Sequence, residues 1–141
     1  VRALVAGEEN VVANLANTSA LLMSATSWHW VGFYLVDQAK NELVLGPFQG
    51  PVACTRLSMG RGVCAKSWAL SETIVIDDVE SFEGHIACSS LSQSEVVVPI
   101  LYDGVVVGVL DIDSVELNGF SSSDVKILEE IVQIIEAQWR G

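Results

Sequence analysis

The stretch SEVVVPILYDGVVVGVLDIDS, residues 94–114, decides the fold. Two runs rich in β-branched and aliphatic residues, 94–101 and 105–113, flank Tyr102-Asp103-Gly104, a turn signal between strands. Val96, Val97 and Val98 on one run and Val105, Val106 and Val107 on the other are apolar at consecutive positions. Such strands are covered on both faces and sit centrally in a sheet. Near the end of the second run Asp111 and Asp113 are two residues apart, so they share a face while Ile112 points to the other.

The turn sets what joins them. A two-residue Asp103-Gly104 turn pairs Tyr102 with Val105 and puts Glu95 opposite Ile112, away from the aspartates. A three-residue loop with Gly104 left-handed pairs Leu101 with Val105 and puts Glu95 opposite Asp111, gathering three carboxyl groups on one face. The Asp-Gly order suits either turn. Carboxyl groups at the end of a central strand either reach solvent as a wet edge or meet a cationic partner. A cluster of three suits an ammonium ligand or a metal, and no histidine lies nearby in sequence to suggest zinc.

Working outward, residues 2–23 carry Leu4, Val5, Val11, Val12, Leu15 and Leu22 at helical spacing and read as one helix, with Gly7 as a candidate break. Residues 30–36, WVGFYLV, read as a strand, 37–41 as a polar turn and 42–45 as the returning strand. From 46 to 62, GPFQGPVACTRLSMGRG holds four glycines and two prolines and reads as a long shaped loop with a short strand near 55–57. A short helix over 63–70, a short strand over 73–76 and a second loop over 77–93 follow. After Phe120, Ser121 and Asp124 form a capping-box pair ahead of the stripe Val125, Leu128, Ile131, Val132, Ile135 and Trp139. This order predicts the α+β class: a mostly antiparallel sheet flanked by N- and C-terminal helices.

Composition narrows the function. The 141 residues are expected to form one domain over 1–141, and half of them are hydrophobic, which excludes global disorder. A net charge of −11 argues against nucleic acid and against an anionic membrane surface, since both call for clustered Lys and Arg. No apolar run reaches the roughly 18 residues of a membrane span, and no signal-peptide order opens the chain, so a cytoplasmic protein is expected. Cys54, Cys64 and Cys88 follow C-x9-C-x23-C, which matches neither a disulfide framework nor a zinc spacing. In a reducing compartment such thiols are inert core residues or redox-active ones.

GPFQGPVACTRL, GRGVC, GHIACSS, SEVVVPIL and DGVVVGVLDIDS together resemble the free methionine-(R)-sulfoxide reductases, enzymes built on a GAF domain. The resemblance runs from WVGFYL to the last helix, with all three cysteines at family spacing. It implies a GAF-like fold, with a central antiparallel sheet of about six strands and helices on its faces. It implies reduction of free L-methionine-(R)-sulfoxide, with no cofactor and no metal. Cys88 of HIAC matches the family's nucleophile and Cys54 of GPVACTR its resolving cysteine, while Cys64 of GVC is a third thiol for a disulfide or for recycling. Glu95, Asp111 and Asp113 match acids that bind the substrate ammonium and help protonate the sulfoxide, and Trp30 matches the aromatic wall over the substrate methyl group. Thioredoxin is the implied reductant and a homodimer the implied assembly.

The chemistry needs such groups. A sulfoxide sulfur is electrophilic, but its oxygen leaves only when protonated, so reduction calls for a thiolate at sulfur and an acid at oxygen. The resulting sulfenic acid condenses with a second thiol to a disulfide, which an external dithiol reopens. Acids that meet a free ammonium are left unpaired when a peptide enters, which rejects peptide-bound methionine sulfoxide. Arg56 and Arg61, in the glycine-rich loop, are two candidates for the substrate carboxylate, with backbone amides as a third. His85, three residues before Cys88, reads as a backbone-bonded loop histidine or as a group that lowers the thiol pKa; His29 reads as structural or exposed, and the same two readings stay open for Trp28. Two other readings compete: a GAF-type ligand sensor, disfavoured because the chain ends soon after its last helix, and a metal site on the acids, disfavoured for want of a second ligand type.

Overall fold

The computed structural model describes residues 1–82 and 91–140. In chain order the elements are α1 (Arg2–Val5), α2 (Val11–Ala25), β1 (Trp30–Asp37), β2 (Glu42–Gln49), β3 (Arg56–Ser58), α3 (Gly62–Leu70), β4 (Ile74–Ile76), a 3-10 turn (Val79–Ser81), β5 (Ser94–Tyr102), β6 (Val105–Ser114) and α4 (Ser122–Gln138). The six strands form one sheet in the order β3-β2-β1-β6-β5-β4, antiparallel at every pairing. This is the expected α+β arrangement with helices at both ends of the chain.

The N-terminal helical pattern divides into α1 and α2 where Gly7 takes a φ of +78°, a backbone conformation that L side chains rarely adopt. Asn10 then caps α2, its side chain accepting from the Ala13 amide at 2.9 Å. The returning strand is longer than the 42–45 expected, and its Gly46-Pro47 lies inside β2. The ladder with β1 slips between Gly32 and Tyr34, and β3 pairs only with Glu42, Leu43 and Val44. Pro47 therefore falls at a bulge and beyond the reach of β3, where a missing N–H leaves no ladder bond unmade.

The last hairpin follows neither expected register. Asp103 and Gly104 both have positive φ, +52° and +77°, and make a two-residue turn that pairs Tyr102 with Val105. The register then shifts between Ile100 and Leu101, with Leu101 opposite Val106 and Ile100 opposite Gly108, so Val107 is an extra residue. The bulge restores the parity that the short turn would have broken. Glu95 ends opposite Asp113, and Val97 opposite Asp111.

Strand alternation divides the core in two. Val31, Phe33, Val96, Val98, Ile100, Leu110 and Ile112 pack against Leu15 and Leu22 of α2 and Leu128, Ile131, Val132 and Ile135 of α4. The other face packs Trp30, Tyr34, Leu43, Leu57, Val97 and Val109 against Val63 and Cys64 of α3. The acids lie on this second face, beside α3.

Candidate active site

Three strands lay side chains across the second face in rows. Trp30 on β1 pairs with Asp113 on β6, which pairs with Glu95 on β5; one rung further, Gly32 pairs with Asp111, which pairs with Val97. Three of these positions hold the acids together and a fourth holds the aromatic wall. Trp30, Tyr34, Arg61, Cys64, Glu95, Asp111 and Asp113 all line one cavity, together with Val52, Ala53, Leu57 and Val63.

Gly32 makes the wall possible. A Cβ there would come within 2.5 Å of the Trp30 ring and would collide with the Phe48 side chain. The indole occupies that space, stacked on Phe48 with centroids 5.3 Å apart and on Tyr34 at 6.1 Å. Its Nε1 donates to the Pro51 carbonyl at 2.9 Å. Gly50, with φ +125°, lets the chain pass close to Trp30, since a Cβ there would lie 2.8 Å from the ring. Trp28, by contrast, packs on Phe120 at 5.3 Å against the opposite face, a structural role.

The acids are buried, and burial governs their protonation. Glu95 and Asp111 are each 6% exposed. Removal from water, then the neighbouring Asp113 charge, lifts the Glu95 carboxyl from 4.5 to about 8. Burial, then the charge of Asp111, also pushes Asp113 well above the ordinary carboxyl range. Asp111 is hydrogen-bonded to both Glu95 and Cys64. The cavity thus holds carboxyl protons at neutral pH, and an entering cation favours their release.

The three cysteines have different settings. Cys64, on α3, is a buried free thiol that burial and the adjoining Asp111, Glu95 and Asp113 charges hold in the protonated form. Cys54 is half-buried and disulfide-bonded. Cys88 and His85 lie outside the described residues. The ligand atoms of Cys64, Glu95 and Asp111 lie within 4.8 Å of one another, a set able to approach a metal ion. Cys64 therefore supplies the second ligand type that the acids alone lacked in sequence.

Two residues stand out only in three dimensions. The Tyr34 hydroxyl donates to the Cys54 carbonyl at 2.7 Å, and burial followed by the charge of Asp111 pushes its pKa far up, so it stays a donor. Alternation from Trp30 through Gly32 to Tyr34 is the signal that could have placed it on the acid face. The second is Arg61. Arg56 is committed elsewhere, to Asp37 at 2.6 Å and Glu42 at 3.4 Å on the exposed edge, whereas Arg61 lines the cavity.

Residues 8–137 match the family model described as GAF domain. The chain is similar to GAF domain-containing protein A of Dictyostelium discoideum, 52% identical over 96% of this chain and 85% of that protein. It is also similar to the free methionine-R-sulfoxide reductase of Escherichia coli (strain K12), 47% identical over 95% of this chain and 81% of the other. Among solved structures, the free methionine-R-sulfoxide reductase of Neisseria meningitidis in complex with its substrate superposes with a TM-score of 0.96 at 54% identity, covering 98% of this chain and 83% of that one.

Proposed function

Since this chain belongs to the GAF-domain free methionine-R-sulfoxide reductase family, we propose that it reduces free L-methionine-(R)-sulfoxide to methionine with its own thiols. The observation that carries the reading is the cavity itself: three carboxyl side chains facing an indole wall, beside the segment that carries Cys54. An amino acid's ammonium is met by Glu95, Asp111 and Asp113, and its methyl group by Trp30. The raised Glu95 pKa supports a role as proton donor at neutral pH.

The thiolate of Cys88 attacks the sulfoxide sulfur while an acid of the cluster protonates the oxygen. The protonated oxygen passes from the substrate sulfur to the Cys88 sulfur as the substrate S–O bond and the transient S–S bond both break, methionine leaves, and Cys88 becomes a sulfenic acid: sulfur of the substrate is reduced by two electrons and sulfur of the cysteine is oxidised by two. The Cys54 thiol then attacks the Cys88 sulfur, water departs, and a disulfide remains. A dithiol protein of the thioredoxin type reduces that disulfide and returns both thiols. Cys64, held protonated, is a poor nucleophile beside them. Such a cycle belongs in a reducing compartment, the cytoplasm, and a homodimer is the assembly carried over from the sequence resemblance. Among the described residues no helix is long and apolar enough to cross a membrane.

Thioredoxin-coupled turnover of racemic free methionine sulfoxide tests the proposal. Consumption is expected to stop near half, since one epimer reacts, and Cys88→Ser is expected to be inactive. A wild-type protein that consumes none, or a Cys88→Ser variant as active as wild type, overturns it.

A further inference from the structure

The sequence left two arginines as candidates for one end of the ligand, and their surroundings separate them. The Arg56 guanidinium lies 2.6 Å from Asp37, on the exposed edge of the sheet. Arg61, the residue that opens α3, makes no ion pair and no side-chain hydrogen bond with the described residues. Among the described residues that line the cavity it is the one cationic side chain, and the carboxyl groups there are Glu95, Asp111 and Asp113. A cation and three carboxyl groups thus share one cavity without closing on each other.

That arrangement is complementary to a zwitterion. An ammonium alone would leave the guanidinium without an anion, and a carboxylate alone would leave the acids without a cation. A free amino acid carries both groups on one carbon. We propose that Arg61 is a specificity residue that binds the substrate's α-carboxylate, so that the cavity reads a free amino acid at both of its charged ends. The inference rests on the reductase reading above and goes beyond it, because that reading places the ammonium, the methyl group and the sulfoxide and leaves the carboxylate unassigned. Its consequence is a second filter. A residue at a peptide's C-terminus lacks the ammonium, one at its N-terminus lacks the carboxylate, and each fails at a different end of the cavity.

The test compares methionine sulfoxide with its decarboxylated amine, which keeps the ammonium, the chain and the sulfoxide and lacks only the carboxylate. Wild type is expected to prefer the acid by about 10- to 100-fold in kcat/KM, the usual range for a charge-assisted contact. Arg61→Met is expected to lose that factor on the acid, mainly through KM, and to leave the amine unchanged, so the preference collapses. Arg61→Lys is expected to restore part of it. Arg61 is exposed, so neither variant threatens the core. Equal losses on both substrates, or no loss on the acid, overturn the assignment of the carboxylate to Arg61 while the reductase reading stands. Failure of wild type to turn over either substrate overturns the reading beneath it and the assignment with it.

Discussion

Tyr34 is a case in which one side chain serves two ends of the chemistry. Its ring lines the cavity beside Trp30, and its hydroxyl holds the main chain at Cys54 through a 2.7 Å bond to the carbonyl. Trp30 holds the same segment at Pro51. The segment that carries the proposed resolving thiol is therefore tied to β1 at two points. Resolution needs two sulfurs to approach to about 2 Å, and loss of one tie lowers the fraction of time in which Cys54 can arrive. Tyr34→Phe keeps the ring and removes the bond. We expect a burst of one methionine per enzyme to persist while the steady-state rate falls by about ten-fold, since small misplacements of reacting groups carry losses of that order or larger. Rapid-quench measurement of methionine release checks it; loss of the burst together with the steady rate would instead show that the hydroxyl acts in the first step.

At the scale of elements, the site depends on how β1 and β6 are put together. Gly32 is required because the Trp30 ring lies where its Cβ would be, and Phe48 closes the other side. Gly32→Ala must push the indole out or open the β1–β2 ladder, and overpacking of this kind costs about 1–3 kcal/mol. We expect a lower urea midpoint and a KM for methionine sulfoxide raised by about ten-fold, given a methyl wall no longer in place. A variant that loses neither would show that the ring has another place to go. The hairpin explains why part of the site was legible in advance and part was not. Apolar runs, the Asp-Gly turn and the Ser121–Asp124 capping box, which forms with both reciprocal bonds, are local signals and placed the strands and the last helix well. The Val107 bulge is not local. It answers the packing of both sheet faces, so the register of Glu95 against Asp113 had no signature in the chain. For the same reason Arg56 and Arg61 looked alike in sequence: only the ladder between β2 and β3 brings Arg56 beside Asp37 and Glu42.

For the whole molecule, the buried acids link stability to pH. Glu95 titrates at about 8 in the folded protein against 4.5 as its ordinary value, and Asp113 is raised in the same direction. A carboxyl whose pKa is raised by folding holds its proton more tightly in the native state. The associated stability is fully present below the unfolded pKa and is lost as pH rises through the folded one. For Glu95 that window runs from 4.5 to about 8. Cys64, raised above its ordinary 9.0, extends the decline to higher pH. The exposed Asp37–Arg56 pair acts with the opposite sign: it lowers the Asp37 pKa, so its support is present above 3.8 and fades as pH falls. Being exposed, it weighs little. The net charge of −11 adds repulsion on the alkaline side. Greatest stability is therefore expected in mildly acidic solution, with a fall between about pH 5 and about pH 8.5 to which Glu95 contributes on the order of 4 kcal/mol. Urea midpoints across that range check the slope. Glu95→Gln, neutral at every pH, is expected to flatten it and to leave the protein more stable than wild type near pH 8.5. A wild-type slope that rises with pH, or one that the substitution leaves untouched, would mean that Glu95 is already ionised in the empty cavity and that the proton for the sulfoxide oxygen comes from another group.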